Sequence, residues 1–343
     1  MRNTQRTLRA LSLLLSTLIG LGAGFGCQKV YDYEQGTWEV VAEGLPGALF
    51  AVYAHTPTDV WAVGANPGDG KGGMVLRYDG EEWRRLSGFA LRDIWWLSPG
   101  TDGDTLWMSG SKGLILKCSM AEETCEDQSV LGAETLFGIW AVSENEVWAV
   151  GGDLSGVGKH HIIWRYDGTG WSQVTALPSD VPETATFFKV WARGSDDVRV
   201  IGTAGAALRY DGTTWTTMPT GGEQQLTTIH GNADRTLVVG GFGSGILLKE
   251  EGSGYAELDI GDKPVVNGVF VHPLYPPVVA GARGLIMHEQ NGAWVTFEDA
   301  PDTYFDYHAV TVDSEGGIWA VGGNILVPPL IDGLLVHFKP AVD

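Results

Sequence analysis

The most regular feature of the chain is a short apolar run that ends in glycine and recurs along nearly its whole length. Each copy is rich in β-branched or aromatic residues, as in Asp59-Val-Trp-Ala-Val-Gly64. Seven copies are present, at residues 59–64, 105–110, 146–151, 197–202, 235–240, 276–281 and 317–322. Their final glycines are 46, 41, 51, 38, 41 and 41 residues apart, which is the period of a unit of four β-strands and not of a helical repeat.

Further apolar runs flank each copy. The run ahead of it carries a β-branched aliphatic residue, and we expect these runs to form the innermost strands; the residues are Val52, Ile94, Ile139, Val190, Ile229, Val269 and Val310. The run behind it ends, in the best copies, in Tyr-Asp-Gly-x-x-Trp at residues 78–83, 166–171 and 210–215. Asp-Gly between β-rich runs predicts a hairpin, because Gly accepts the positive φ of the turn. Seven four-stranded units predict an all-β fold, a monomeric seven-bladed β-propeller over residues 34–343.

The two ends of this region complement each other. The last unit contains three predicted strands and ends at residues 335–339, whereas residues 36–41 form a predicted strand without a blade of its own. Pairing them would complete the seventh sheet and remove two exposed strand edges. We therefore predict that the N-terminal strand closes the last blade.

The first 26 residues have the pattern of an export signal. Arg2, Arg6 and Arg9 precede a largely apolar stretch, residues 11–25, that ends in small residues before Cys27. This stretch is short for a membrane-spanning helix, which needs about 20 apolar residues. Gly24-Phe25-Gly26-Cys27 resembles the lipobox of bacterial lipoproteins, with Gly24 at the usual Leu position, and the resemblance implies lipidation of Cys27. Ordinary cleavage nearby and an uncleaved anchor are the alternatives, and residues 27–33 would form a tether.

The address and charge of the mature chain limit its partners. Gln28 follows the cysteine, and by resemblance to lipoprotein sorting this favours the outer membrane of the cell envelope, on its periplasmic or surface face. Loss of residues 1–26 would change the formal net charge from −20 to −23. Such a field repels nucleic acid and favours cations or basic partners, although solubility outside the cell also accounts for it. We expect no nucleic acid partner, and membrane contact only through the lipid.

The three cysteines suggest one disulfide bond. Export places them in an oxidising compartment, and with Cys27 acylated, Cys118 and Cys125 remain to pair across a polar loop. No zinc, phosphate-loop or EF-hand pattern occurs in the sequence, so we expect no metal and no cofactor. The adjacent pair His160-His161 is either a metal or anion contact in a loop or a solvated strand start. Trp95-Trp96 is either blade packing or a sugar platform.

The Tyr-Asp-Gly-x-x-Trp turns and Trp-Ala-Val-Gly strands resemble the repeats of bacterial BNR and YVTN propellers, a group that includes sialidases and photosystem II assembly factors. The BNR motif is Ser-x-Asp-x-Gly-x-x-Trp, and the present turns carry Tyr78, Tyr166 or Tyr210 at its Asp position. The resemblance therefore implies the blade turn and the fold without catalysis. A sialidase needs three convergent arginines, whereas Arg77, Arg165 and Arg209 occupy equivalent outer positions. A glycan-active hydrolase that uses paired carboxylates at the propeller mouth is the alternative function.

Loop length varies most between the second and third strands. This loop is short in four units and long at residues 65–73, 152–160 and 323–333, in the first, third and seventh units. Function tends to lie where a rigid scaffold carries irregular loops, so we expect an exported binding scaffold whose rim contacts a protein or glycan partner; unconstrained drift in loop length is the alternative. The residues 325–331 are apolar throughout and either fold back on blade seven or contact a partner. Our candidate binding residues are Asn66, Asp69, Lys71, Asp153, His160, Asn324, Leu326, Leu330 and Asp332.

Overall fold

Twenty-eight strands make up seven four-stranded sheets in the computed structural model, which describes residues 31–342 apart from 131, 133 and 156–159. The N-terminal strand is β1 (Tyr31–Leu45). Blades 1 to 3 consist of β2 (Leu49–Thr56), β3 (Asp59–Gly64), β4 (Val75–Tyr78) and β5 (Trp83–Arg85); β6 (Ile94–Pro99), β7 (Thr105–Gly110), β8 (Leu114–Ser119) and β9 (Thr124–Asp127); and β10 (Thr135–Ser143), β11 (Glu146–Gly152), β12 (Ile162–Tyr166) and β13 (Trp171–Gln173). Blades 4 to 6 consist of β14 (Phe187–Gly194), β15 (Asp197–Gly202), β16 (Ala207–Tyr210) and β17 (Trp215–Thr217); β18 (Leu226–Gly231), β19 (Thr236–Phe242), β20 (Ser244–Glu251) and β21 (Gly254–Glu257); and β22 (Val266–Phe270), β23 (Val278–Gly281), β24 (Ile286–Gln290) and β25 (Ala293–Thr296). Blade 7 contains β26 (Asp306–Val312), β27 (Ile318–Gly323) and β28 (Gly333–Val342), with β1 as its outer strand.

The blades form a closed ring, which confirms the predicted seven-bladed propeller. The first strand of each blade contacts the first strand of the next, and β26 of blade 7 contacts β2 of blade 1. The shared turn also has the predicted geometry, since Gly80, Gly168 and Gly212 have φ values of 93°, 91° and 91°.

Two 3₁₀ turns, Ser111–Gly113 and Ala282–Gly284, accompany the strands. No helix in the described ranges is long and apolar enough to span a bilayer.

The ring closes through the N-terminal strand. β1 pairs antiparallel with β28, with Trp38 opposite Phe338 and Glu39 opposite His337. Strand β1 starts at Tyr31, inside the range expected as tether, and the ring of Tyr33 is buried against blade 6 at 6.2 Å from Phe297. Trp38 also contacts Phe297, edge to face at 5.3 Å. Cys27 and residues 1–30 lie outside the described residues.

Tryptophans of the second strands stabilise the contacts between blades. Trp319 of blade 7 packs against Trp83 of blade 1, with ring centroids 5.9 Å apart. Trp107 and Trp171 join blades 2 and 3 in the same way, at 5.9 Å. The edge-to-face geometry adds to the area that these large rings bury. The fourth strand's tryptophan therefore belongs to the core between sheets.

A β-bulge interrupts the first strand of every blade at the same position. The bulged residues are Phe50, Trp95, Phe137, Phe188, Thr227, Asn267 and His308. The bulges also correct one sequence alignment. Leu97 of blade 2 pairs with Met108, as Val52 pairs with Ala62, so Leu97 and not Ile94 is the counterpart of Val52.

Cys118 and Cys125 form a disulfide bond that joins β8 to β9. The two residues are cross-strand partners in the outer hairpin of blade 2. The bridge therefore fastens a short four-residue outer strand, β9, to the rest of its sheet.

Candidate functional site

One end of the propeller, which we call the loop face, carries the loops between second and third strands together with the links between blades. Hydrogen bonds join each such loop to the link that follows it, for example Gly73 N–H to the Ala90 carbonyl (3.1 Å), Gly205 N–H to the Gln224 carbonyl (2.9 Å) and Gly284 N–H to the Phe305 carbonyl (3.0 Å). The opposite end, which we call the turn face, carries the hairpins between first and second and between third and fourth strands. The predicted long loops therefore share one surface.

The blade 1 loop is held by its own polar residues. The Asn66 side chain accepts a hydrogen bond from Gly68 N–H at 3.0 Å, and Asp69 accepts one from Lys71 N–H at 3.0 Å. Asp69 also forms an ion pair with Arg85, and this contact lowers the pKa of the carboxyl group. Asn66 and Asp69 thus shape the loop, while Lys71 is exposed to solvent.

The other two predicted segments lie on different parts of the same face. The Asp153 carboxylate accepts hydrogen bonds from the backbone and hydroxyl of Ser155, at 2.8 and 2.7 Å, and His160 is half-buried just before β12. In blade 7, the Asn324 side-chain amide donates to the Pro329 carbonyl at 3.1 Å, and Asp332 has a φ of 57°. Blade 2 separates the blade 3 loop from the contiguous rim of blades 7 and 1.

The apolar segment 325–331 divides into a packed part and an exposed part. Ile325 is buried and Leu330 is half-buried in a cluster with Ala48, Phe50 and other residues at the mouth of the ring. The Leu330 carbonyl accepts a hydrogen bond from Ala48 N–H of the neighbouring blade (3.1 Å). Leu326, by contrast, is 74% exposed. Part of the segment therefore folds back on the neighbouring blade, and partner contact stays a prediction for the exposed part.

Aromatic rings fill the axis of the propeller beneath this mouth. Trp95 stacks on Phe50 with centroids 4.2 Å apart and contacts Phe137 edge to face at 5.2 Å. Phe137 in turn contacts Phe188 at 5.4 Å. The adjacent tryptophans, Trp95 and Trp96, are both half-buried and take part in packing between blades, as one of the two interpretations predicts.

Lys189 lies buried in this aromatic axis. Its ammonium group donates a hydrogen bond to the Phe137 carbonyl at 2.8 Å and lies 4.1 Å from the centre of the Trp96 ring. Burial lowers the pKa of Lys189 to about 7 and that of the neighbouring His308 to about 3. Lys189 is not among the residues predicted from the sequence, because it follows a bulge, where simple strand alternation does not indicate the direction of a side chain.

The three repeated arginines do not meet. Each lies on the third strand of its own blade and pairs with a carboxylate of that blade: Arg77 with Asp59, Arg165 with Glu146, and Arg209 with Asp197. Arg77 also pairs with Glu123 of blade 2. They do not form the convergent arginine cluster that a sialidase requires. In the described part of the chain, moreover, no group of three or more His, Cys, Asp or Glu side chains could hold a metal ion.

Exposed apolar side chains concentrate on the loop face. Nine large hydrophobic residues are exposed among those described, and six of them lie at this face, in its loops and links or, for Phe242, at the end of β19: Leu91, Leu154, Phe242, Tyr304, Leu326 and Val327. Tyr304 is 98% exposed. Tyr304, Asp306 and Leu326 line two adjoining grooves of about 530 and 150 Å³, with Lys263 and Arg283 along the edge of the larger one.

These features define the molecule as a seven-bladed β-propeller with an irregular loop face. No protein-family model and no curated protein matches the chain. Among solved structures, it is similar to YCF48 from Cyanidioschyzon merolae, with a TM-score of 0.64 and 15% identity over 88% of this chain and 98% of that one. It is also similar to a structure of YCF48 bound to D1 peptide (TM-score 0.64, 12% identity, 89% of this chain and 97% of that one). A third similar structure is the selenomethionine-substituted virginiamycin B lyase from Staphylococcus aureus (TM-score 0.68, 12% identity, 89% and 99%). At identities of 12% to 15%, this structural similarity shows that the fold is shared and nothing more.

Proposed function

We propose that this protein is an exported binding scaffold that holds a protein partner on its loop face. The observation that carries this proposal is the concentration of exposed apolar side chains there, with Tyr304 and Leu326 lining both grooves. Exposed apolar patches on monomeric proteins commonly mark interaction sites. Tyrosine is moreover enriched among the residues that dominate binding energy.

Several further features support a protein as the partner. A rigid ring keeps the loops in place without a ligand, so binding costs little ordering of the scaffold. The edge of the larger groove carries both charges, Lys263 and Arg283 beside Asp262 and Asp306, which suits hydrogen bonding at a polar rim. The structural relative YCF48 has been solved bound to a peptide. These features favour a peptide or a protein surface over a glycan.

Site-specific photocrosslinking in cells tests the proposal. A photoreactive phenylalanine analogue replaces Tyr304 in one variant and Leu274 in a control, because Leu274 is 68% exposed but lies on the turn face. We expect a discrete, protease-sensitive adduct from position 304 and none from position 274. The same adduct should weaken when Leu326→Ser is added. Equal crosslinking at both positions, or a protease-resistant glycan adduct, would contradict a protein-binding loop face.

We further propose that a lipid on Cys27 holds the protein at the membrane. Residues 1–26 have the pattern of an export signal, and two or more acyl chains give stable anchoring, since each buried methylene contributes about 0.8 kcal/mol. Intact-mass measurement of the membrane fraction should show cleavage before Cys27 and added acyl mass. A Cys27→Ala variant should lose both. Membrane retention of that variant with the same mass would overturn the lipid anchor.

A further inference from the structure

A cleft lies on the turn face where blade 7 meets blade 1. It has a volume of about 460 Å³, and Tyr78, Trp83 and Trp319 form its aromatic wall. Five carboxylates line it, from Glu39, Glu81, Glu82, Asp313 and Glu315. The cation among its lining residues is Lys339, which already pairs with Glu39 at 3.0 Å. The cleft is thus a strongly acidic, aromatic cavity.

Blades 1 and 3 show how an arginine completes this part of the repeat. In blade 1, Trp61 donates its indole N–H to Asp59 at 3.1 Å, and Arg77 from the third strand lies 5.1 Å from the Trp61 ring and 3.4 Å from the same carboxylate. Blade 3 repeats this unit with other residues. Trp148 donates to Glu146 at 3.2 Å, and Arg165 lies over the Trp148 ring and pairs with Glu146 at 2.9 Å.

Blade 7 keeps the tryptophan and the carboxylate but lacks the arginine. Trp319 donates to Asp313 at 2.9 Å, and the third-strand residue opposite Trp319 is His337. The imidazole stacks on Trp319 at 3.5 Å, and its Nε2 is 3.9 Å from the Asp313 carboxylate, beyond hydrogen-bonding distance. Burial lowers the pKa of His337 to about 4, so the ring is neutral at pH 7. Asp313 therefore lacks the cation that Asp59 and Glu146 each have.

The imidazole of His337 is a second polar group of the cleft that the chain itself leaves unpaired. It is only 5% exposed, yet its nitrogens make no hydrogen bond with any residue that the structure describes. Neither ring nitrogen is fully enclosed, so the imidazole can be reached from the cleft. His337 lines the cleft, so a donor entering the cleft could satisfy a neutral ring nitrogen.

The corresponding cleft between blades 3 and 4 provides a direct comparison. It is of similar size, about 480 Å³, and is lined by Trp148, Tyr210 and Trp215, the counterparts of Trp319, Tyr78 and Trp83. Its own arginine, Arg165, forms part of its lining. No carboxylate side chain is among its lining residues, whereas the blade 7 cleft has five. The two clefts share their framework and differ in whether the chain itself supplies a guanidinium group.

We propose that the cleft between blades 7 and 1 binds an arginine side chain of a basic partner segment, which supplies the cation that Arg77 and Arg165 supply within their own blades. A guanidinium group is planar, stacks on aromatic rings and presents several N–H donors to carboxylates. The rim carboxylates Glu81 and Glu82 are exposed and can meet it as it enters. The site is on the turn face and does not depend on the loop-face proposal.

Titration with the tripeptide amide acetyl-Gly-Arg-Gly-amide tests this site in the full chain. Indole N–H resonances report the binding, with acetyl-Gly-citrulline-Gly-amide as the neutral isostere. We expect saturable shifts of the Trp319 and Trp83 signals with the arginine peptide and none with citrulline. The His337→Arg variant should fill the site from within and weaken binding roughly tenfold or more, since charged hydrogen bonds are lost.

Two further variants keep the test decisive. Glu81→Gln combined with Glu82→Gln changes only exposed side chains and should also weaken binding, whereas Glu251→Gln, an exposed carboxylate of blade 5, should not. If His337→Arg does not fold, the Glu81 and Glu82 variant decides the question. Equal binding by the wild type and all variants would show only general attraction to an acidic protein. That result, or the absence of Trp319 shifts, would overturn the proposal while leaving the loop-face crosslink unaffected.

Discussion

At the scale of single residues, the bulged position of the inner strands decides what reaches the axis. Side chains at or next to the bulges cap backbone carbonyls of the adjoining blade, as Asn267 does for Tyr307 (2.9 Å) and Thr227 for Val266 (3.0 Å). Unpaired buried carbonyls are costly, so these contacts link neighbouring sheets. The repeat length and the turn glycines were predictable from the sequence, but these residues were not, because a bulge changes the side-chain alternation that strand patterns rely on.

Burial of Lys189 should make the stability of the protein depend on pH. Its pKa is about 7 in the fold and about 10.4 in an unfolded chain, so the unfolded state binds more protons between these values. Stability should therefore rise as pH rises from about 7 to 10. The Phe137 carbonyl and the Trp96 ring favour the charged form and reduce the effect.

The Lys189→Met variant is the matched comparison, since methionine fills a similar volume without a charge. We expect the unfolding temperature of the wild type to rise relative to this variant over that pH range, by roughly 2 °C or more. Thermal unfolding followed by circular dichroism at pH 7, 8.5 and 10 measures the difference. Parallel curves for the two proteins would mean that Lys189 keeps its charge in the folded state.

At the scale of elements, the blade 7 loop shows what an apolar run can and cannot reveal. The run 325–331 indicated burial or contact; in the structure Ile325 is buried and Leu330 half-buried, whereas Leu326 and Val327 are exposed. The division depends on the neighbouring blade, whose Ala48 and Phe50 receive the buried part. Sequence periodicity within the loop carries no information about that neighbour, so the division was not predictable.

Substitution of the two leucines separates their roles. Leu330→Ser should lower the free energy of unfolding by about 1 to 2 kcal/mol, at or below the low end for leucine truncation because the side chain is half-buried. Leu326→Ser should leave stability within about 0.5 kcal/mol of the wild type, as for other surface substitutions. Chemical denaturation of both variants measures this. Equal destabilisation would show that Leu326 is also packed in solution.

At the scale of the whole molecule, the fold was predictable because every level of the pattern agreed. Strand period, turn glycines and second-strand tryptophans all indicated the same unit, and such consistency is what specifies a single structure. The unmatched strand at residues 36–41 gave the closure for the same reason. The cleft of blade 7 was not predictable from the sequence. The absence of an arginine there becomes evident only when the contact of His337 with Asp313 is compared with the arginine–carboxylate pairs of blades 1 and 3.

The pairing of β1 with β28 should stabilise the whole ring. β1 is the first described strand and β28 the last. Among the described sheets, only that of blade 7 therefore pairs strands that lie far apart in the sequence. Because β1 leads directly into β2 of blade 1 and pairs with β28 of blade 7, deletion of residues 36–41 would weaken the seam between blades 7 and 1 and would also remove the contact of Trp38 with Phe297 of blade 6. Each blade is held by its two neighbours, and an opened ring should therefore lose cooperativity throughout.

We expect the deletion to lower the unfolding temperature and to reduce hydrogen-exchange protection even in the strands of blade 4, which lies far from the seam. A chain that starts at residue 31 is the control, because it is also shortened at its N-terminus but keeps the whole of β1. It should unfold like the full chain. If protection falls only in β28 and the unfolding temperature is unchanged, the seventh blade is stable with three strands. The strand edges that closure covers would then contribute little to the stability of the ring.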